Sequence, residues 1–239
     1  MGTLYIVSTP IGNLEDITIR AIKTLFSVDI IACEDTRRTG LLLQSLQQKN
    51  NALVLHSTKA SVPRLVRYDD RTENSRIPQI IEYLQTGLSV ALVSDSGTPL
   101  ISDPGYKLVF EALKRDIEVV SVPGPSAALT ALTSSGLPTS NFLFLGFPPE
   151  KEKHRKDLFQ SLITMQPSNH PTIIFYCAPH KLLQILVDMK EVFDDIPIVI
   201  ARELTKVHEE IWKGTLSEAQ KKYENPLGEF VVLFNILQA

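Results

Sequence analysis

The segment Val90-Ala91-Leu92-Val93-Ser94-Asp95-Ser96-Gly97-Thr98-Pro99-Leu100-Ile101-Ser102-Asp103-Pro104-Gly105 opens with four apolar residues and turns polar before a helical pattern begins at Tyr106. A short apolar run without alternation marks a strand covered on both faces, and a strand followed by a polar loop and a helix is one arm of a βαβ unit. The same grammar recurs on both sides of it. Leu4–Val7, Ile30–Ala32 and Val119–Val122 are similar short runs. Between them Ile77, Ile80, Ile81 and Leu84 recur at helical spacing, as do Tyr106, Val109, Phe110 and Leu113, and each set is expected to form one buried face. In the second half Phe142–Leu145, Thr172–Tyr176, Ile198–Ala201 and Phe230–Phe234 read as strands, and Leu182, Ile185, Leu186 and Met189 mark a helix. The alternation predicts an α/β protein with largely parallel or mixed sheets. Val122-Pro123-Gly124-Pro125 stops a strand before Ser126, which can cap a helix running to Gly136, so the expected domains are 1–122 and 123–239.

Composition narrows the class. The chain has 239 residues, 44% hydrophobic and 21% charged, which excludes a disordered or collagen-like chain. Lys and Arg total 24 against 27 Asp and Glu, so the global basic excess of a general nucleic-acid binder is missing. Local basic stretches exist: Pro63–Arg76 reads as a mobile surface loop carrying Arg64, Arg67, Arg71 and Arg76, and Glu150–Lys156 as a solvated helix start. Cys33 and Cys177 form neither a CxxC pair nor a disulfide framework, which suits a reducing compartment. No basic leader opens the chain and no apolar run approaches membrane-spanning length, so the expectation is a soluble cytoplasmic protein.

Open α/β sheets bind ligands beyond the carboxyl ends of their strands, so the chemistry is sought in the loops. Ser8–Leu14 follows the first strand, with Pro10 fixing φ, Gly12 allowing close backbone approach and Asp16 able to cap the next helix. In the 94–105 loop Asp103-Pro104 fits an N-cap and first-turn pair, whereas Asp95 has no such local explanation. Pro123–Ala128 opens a helix with small residues that leave room for a flat ring, or serve tight packing. Phe175–His180 and Arg202–Lys206 leave strands in the same manner. There is no GxxxxGK[ST] loop, no GxGxxG after a strand and no GxSxG elbow, and His56, His154, His170, His180 and His208 lack ligand spacing, so no metal site is expected. What remains is group transfer from an already activated cofactor.

TPIGNL at 9–14, EDTRRT at 34–39, SDSGTPLISDPG at 94–105, PGPSA at 123–127 and RELTK at 202–206 resemble, in this order, the tetrapyrrole methylase superfamily, the class III methyltransferases. Within it they are similar to the ribosomal RNA small-subunit methyltransferase I branch. The resemblance implies two α/β domains with mixed sheets and a cleft between them for S-adenosyl-L-methionine. It further implies a homodimer and 2′-O-methylation of a cytidine in small-subunit rRNA. By resemblance the cofactor touches Pro10, Gly97, Thr98, Ile101, Ser126, Ala127, Tyr176 and Leu204. Glu34, Asp35 and Asp95 are the carboxylates available as a base, with Glu34 and Asp35 equally suited to capping a helix near Thr36, and Arg37 and Arg38 are candidate RNA phosphate contacts. Methylation of a corrin precursor and non-catalytic ribosome binding are the alternatives. Departures are Ser96 for alanine, Cys177 for glutamate, Lys181 for arginine and Asp69-Asp70-Arg71-Thr72 in place of HEHN. The chain also ends soon after Val232, short of an extension that many members carry, which implies altered ribosome engagement.

Overall fold

The computed structural model describes residues 1–50, 63–164 and 170–236. The chain separates into two compact units, Met1–Ser126 and Ala127–Ala239.

In the first unit β1 (Thr3–Val7), β2 (Ile30–Cys33), β3 (Arg64–Arg67), β4 (Val90–Val93) and β5 (Glu118–Val122) form one parallel sheet in the order β3-β2-β4-β1-β5. Alternate residues serve opposite faces. Leu4, Ile6, Val90 and Leu92 meet Ile80, Ile81 and Leu84 of α3 (Glu73–Gln85) and Leu108 and Ala112 of α4 (Tyr106–Leu113). Val7, Ile31, Ala91 and Val93 meet α1 (Ile19–Leu25) and α2 (Thr36–Lys49). The chain leaves β1 toward β2 and leaves β4 toward β5, so these neighbouring strands send their helices to opposite faces. That reversal is the topological switch point where such sheets open a crevice at the carboxyl ends.

The second unit begins with α5 (Ala127–Ser135), between Ser126 and Gly136 as the sequence suggests. Its sheet, β6 (Phe142–Phe144), β7 (Thr172–Cys177), β8 (Pro197–Arg202), β9 (Glu210–Thr215) and β10 (Phe230–Phe234), is mixed and ordered β6-β7-β10-β8-β9. One face packs on α6 (Glu152–Thr164), α7 (Pro179–Phe193) and α8 (Leu216–Lys222) through Phe159, Leu182, Leu186, Met189 and Leu216. Helix α5 packs on β10 and β7. Among the described residues no helix is long and apolar enough to cross a membrane.

Several sequence expectations are corrected. The 63–76 segment is no mobile loop: Arg64–Arg67 pairs in parallel with β2, and an Asp69–Thr72 turn, in which Asp69 Oδ1 accepts from the Thr72 amide at 2.8 Å, leads into α3. On α4 the set Tyr106, Phe110 and Leu113 is exposed, while Leu108 and Ala112 face the sheet. The helix carries two apolar stripes, and only the one toward the sheet is covered. Strand β5 is a sheet edge rather than a strand covered on both faces, with Glu118 and Ser121 exposed. Thr18, not Asp16, caps α1, its side chain accepting from the Ala21 amide. Asp103 does not cap α4: Gly105 occupies that position at φ 135° with no side-chain cap. The Glu150–Lys156 stretch does start a helix, yet Arg155 within it is buried.

Candidate active site

Strands β1 and β4 are neighbours, so the loops after them meet. The Thr9 amide donates to Gly97 O at 2.8 Å and the Gly97 amide returns to Thr9 O at 3.1 Å. Thr98 Oγ1 donates to Pro125 O at 3.0 Å and lies 3.0 Å from Ser8 Oγ, tying in the loop after β5. Glycine is required twice here. Gly97 sits at φ 85°, where an added Cβ would lie 3.3 Å from Ile11 Cγ2 and 3.8 Å from Pro125 O. At Gly124 a Cβ would lie 2.8 Å from that of Ser8. Any side chain at position 97 would thus press on its neighbours at the point where the loops after β1, β4 and β5 meet.

Carboxylates gather next to this junction. Glu34 Oε1 accepts from the Asp95 amide at 3.1 Å, and Asp95 Oδ1 from the Asp35 amide at 3.3 Å. Asp95 Oδ2 pairs with Arg38 Nη1 at 3.1 Å. Asp35 caps α2 through the Arg37 amide and also grips the Arg37 guanidinium, which holds its carboxyl well below the usual range. Burial, aided by the nearby Asp95 charge, pushes Glu34 up. Asp103, which local rules assign to a cap, belongs to this group: burial and then the Glu34 charge raise it to about 7, against an opposing hydrogen bond from Ser94. The far end of the same loop is held by buried Glu73, which accepts from the Gly105 amide at 3.1 Å and Tyr68 Oη at 3.0 Å and pairs with Lys107 at 2.9 Å. Although burial favours its neutral form, these three partners lower the Glu73 pKa.

A raised carboxyl has a definite signature. Between the ordinary value of 3.8 and about 7 the folded chain holds a proton on Asp103 that the unfolded chain releases, so this group makes stability fall as pH rises through that window. Asp103→Asn is expected to gain stability relative to the parent at pH 8 and not at pH 4. Equal differences in urea midpoints at the two pH values would remove Asp103 from the buried cluster.

In the second unit β6 runs parallel to β7, while β7 and β8 both run antiparallel to β10, so all three end at one sheet edge. Cys177 and Arg202 both register with Phe230, which brings the loops holding Tyr176 and Leu204 to the same edge. Leu204 is buried, between Glu203 at φ 49° and Thr205 at φ 64°. Glu203 accepts from the Glu229 amide and from Lys206 Nζ, fixing that unusual backbone. The Tyr176 ring stands edge-on to Phe144 and Phe147, at 4.8 and 5.6 Å between centroids. Thus Pro10, Gly97 and Thr98 converge on the first unit together with the loop holding Ser126, and Ile101 lies half exposed on the same 94–105 loop. Ala127 opens α5 in the second unit. Among the described residues no group of three His, Cys, Asp or Glu could hold a metal, and His56 lies outside them.

The family model of the tetrapyrrole (corrin/porphyrin) methylases matches residues 3–220. The chain is 45% identical to the ribosomal RNA small subunit methyltransferase I of Thermotoga maritima, over 98% of this chain and 99% of that one. It is also 45% identical to the protein of that name from Synechocystis, over 98% of this chain and 78% of the relative. Among solved structures it is similar to uroporphyrin-III C-methyltransferase from Thermus thermophilus complexed with S-adenosylhomocysteine. That pair has a TM-score of 0.61 and 16% identity over 99% of each chain, a likeness of fold.

Proposed function

The chain belongs to the tetrapyrrole methylase family, and from that premise we propose that it is an S-adenosylmethionine-dependent methyltransferase acting on the ribose 2′-hydroxyl of a cytidine in small-subunit rRNA. One observation carries this reading: 45% identity to a ribosomal RNA small subunit methyltransferase I across almost all of both chains. A homodimer in the cytoplasm completes the proposal.

The bare backbone at Gly97, where the loops after β1, β4 and β5 meet, suits a cofactor lying close against the chain. Pro10, Gly97, Thr98, Ile101, Ser126, Ala127, Tyr176 and Leu204 are the proposed contacts. When bound, S-adenosylmethionine supplies an electrophilic methyl on a sulfonium. The protein's part is alignment, which can supply most of the acceleration in such a displacement, and a place for the hydroxyl proton. Asp103 is the fitting acceptor, because burial beside Glu34 brings it to about 7, near the working pH of a general base. Glu34 contributes by keeping Asp103 basic. Asp35 is committed to its helix cap and Arg37, and Asp95 to Arg38, so these two carboxylates position the loop. Arg37 and Arg38, largely exposed, are offered to phosphates.

Assembled small subunits should be methylated much faster than free rRNA, since a chain of net charge −3 gains little from naked phosphates, and added salt should slow the reaction. Tritium transfer from labelled cofactor, followed by mapping of 2′-O-methylcytidine, checks both expectations. Asp103→Asn should bind cofactor in calorimetry yet transfer slowly at pH 7. Transfer to carbon of a tetrapyrrole, or to no RNA at all, would overturn the reading.

A further inference from the structure

The second unit carries a cavity of about 160 Å³ at the carboxyl edge of its sheet, walled by Phe147, Tyr176, Cys177, His180, Lys181 and Arg155. Its chemistry is uneven in an informative way. Phe147 is 57% exposed, which leaves a face of its ring open to a partner. The ring is also held still. Gly146 O accepts from the Tyr176 amide at 2.8 Å, extending the β6–β7 pairing past the strand end, and the ring packs edge-on against Tyr176. Pro148 and Pro149 follow at once and fix the exit of the chain. A rigid aromatic face loses little conformational freedom when a flat partner stacks on it.

A lysine and a histidine stand beside the ring. His180 is exposed and Lys181 half-buried in the first turn of α7. Arg155 at the floor is bound to Asp188, Pro149 O and Glu150 O, so it shapes the cavity rather than offering a charge. Burial pushes the Cys177 thiol up to about 12, which rules it out as a nucleophile and leaves it as wall. An exposed ring with Lys181 and His180 lining the same cavity, at whose margin Glu150 also stands, matches a nucleotide: π-face to ring, phosphate to lysine and imidazole.

We propose that this cavity binds one nucleotide of single-stranded RNA, its base stacked on Phe147 and its phosphate toward Lys181 and His180. The proposal rests on the rRNA-methyltransferase reading and adds where the second unit grips the strand. It extends substrate recognition beyond Arg37 and Arg38.

Fluorescence anisotropy of a labelled hexacytidylate with the full chain tests it. Phe147→Ala should raise Kd about 5- to 100-fold, the range found for loss of one stacked base, while Phe147→Tyr stays near the parent. Lys181→Ala should lower the slope of log K against log salt by about 0.7, one single-strand phosphate contact. Cofactor affinity by calorimetry and the melting point should not change in any of the three. Parent-like binding by Phe147→Ala, or Phe147→Leu binding as well as Phe147→Tyr, overturns the proposal, the latter because bulk alone would then suffice. If the parent methylates subunits and Phe147→Ala does so equally well, only this site fails. If the parent transfers no methyl to RNA, the broader reading fails with it.

Discussion

Asp188→Ala should destabilise the second unit by about 3–5 kcal/mol, the cost of leaving a buried partner charge unmatched. Asp188 is fully buried and Arg155 only 3% exposed. Asp188 Oδ2 accepts from Arg155 Nε at 2.6 Å and from its Nη2, and Oδ1 accepts from Gln184 at 3.0 Å. The other arm of the guanidinium donates to the carbonyls of Pro149 and Glu150 at 2.9 Å, so one ion pair joins α6, α7 and the turn beneath Phe147. Removal of the acid strands the cation without water. Replacing both residues with apolar ones of similar size, Arg155→Met with Asp188→Leu, should recover most of the loss, because desolvation of the two charges offsets much of their attraction. Calorimetric unfolding of the three proteins checks this. A single variant that melts with the parent would mean the pair is solvated.

Gly97→Val should slow methyl transfer by about 100-fold or more, the loss that a misplacement of about 1 Å can cause. Two effects coincide at this position. The backbone at φ 85° strains a β-branched residue by about 1–3 kcal/mol, and its Cβ would press on Ile11 at 3.3 Å. The side chain would also cover the backbone proposed to face the cofactor. Thr98→Val separates polarity from shape, because that hydroxyl is spent on Pro125 O and Ser8 and leaves the backbone of Thr98 for the proposed cofactor contact. Its expected cost is about 0.5–1.5 kcal/mol of stability, with cofactor affinity little changed. Affinity and unfolding are measured for both. Normal binding by folded Gly97→Val would make the loop a plain turn and move the cofactor elsewhere.

The strands over β1, β2, β4, β7, β8 and β10 were legible because apolar β-branched runs survive any context. Which stripe of α4 faces inward was not, since Tyr106, Phe110 and Leu113 share helical spacing as good as that of Leu108 and Ala112, and only the way the helix lies on β5 and α3 decides between them. Strand β9 is half-buried except at exposed Lys213 and has Ile211 and Trp212 side by side, so it shows no period of two. Helix α8 did announce itself: Thr215 and Glu218 form a reciprocal capping box, a spacing readable in the chain and passed over. In the site, TPIGNL and SDSGTP were found as loops, but their hydrogen-bonded junction depends on β1 and β4 being neighbours across more than eighty residues of sequence. Asp103 was hidden for the same reason. An Asp-Pro pair has a sound local use, and what displaces it is Glu73, holding Gly105 from a distant helix start.

The central place of β1 also bears on how the chain is made. Its two partners are β4 and β5, both synthesised long after it. At about 5–20 residues per second the ribosome needs roughly 4–16 s to extend from β1 to β4. Throughout that interval Leu4, Ile6 and Val7, fully or almost fully buried in the finished sheet, emerge with neither neighbour available. In the nascent chain β1 is thus an unpaired apolar strand for seconds, open to chaperones that hold apolar segments and to premature pairing between chains on one polysome.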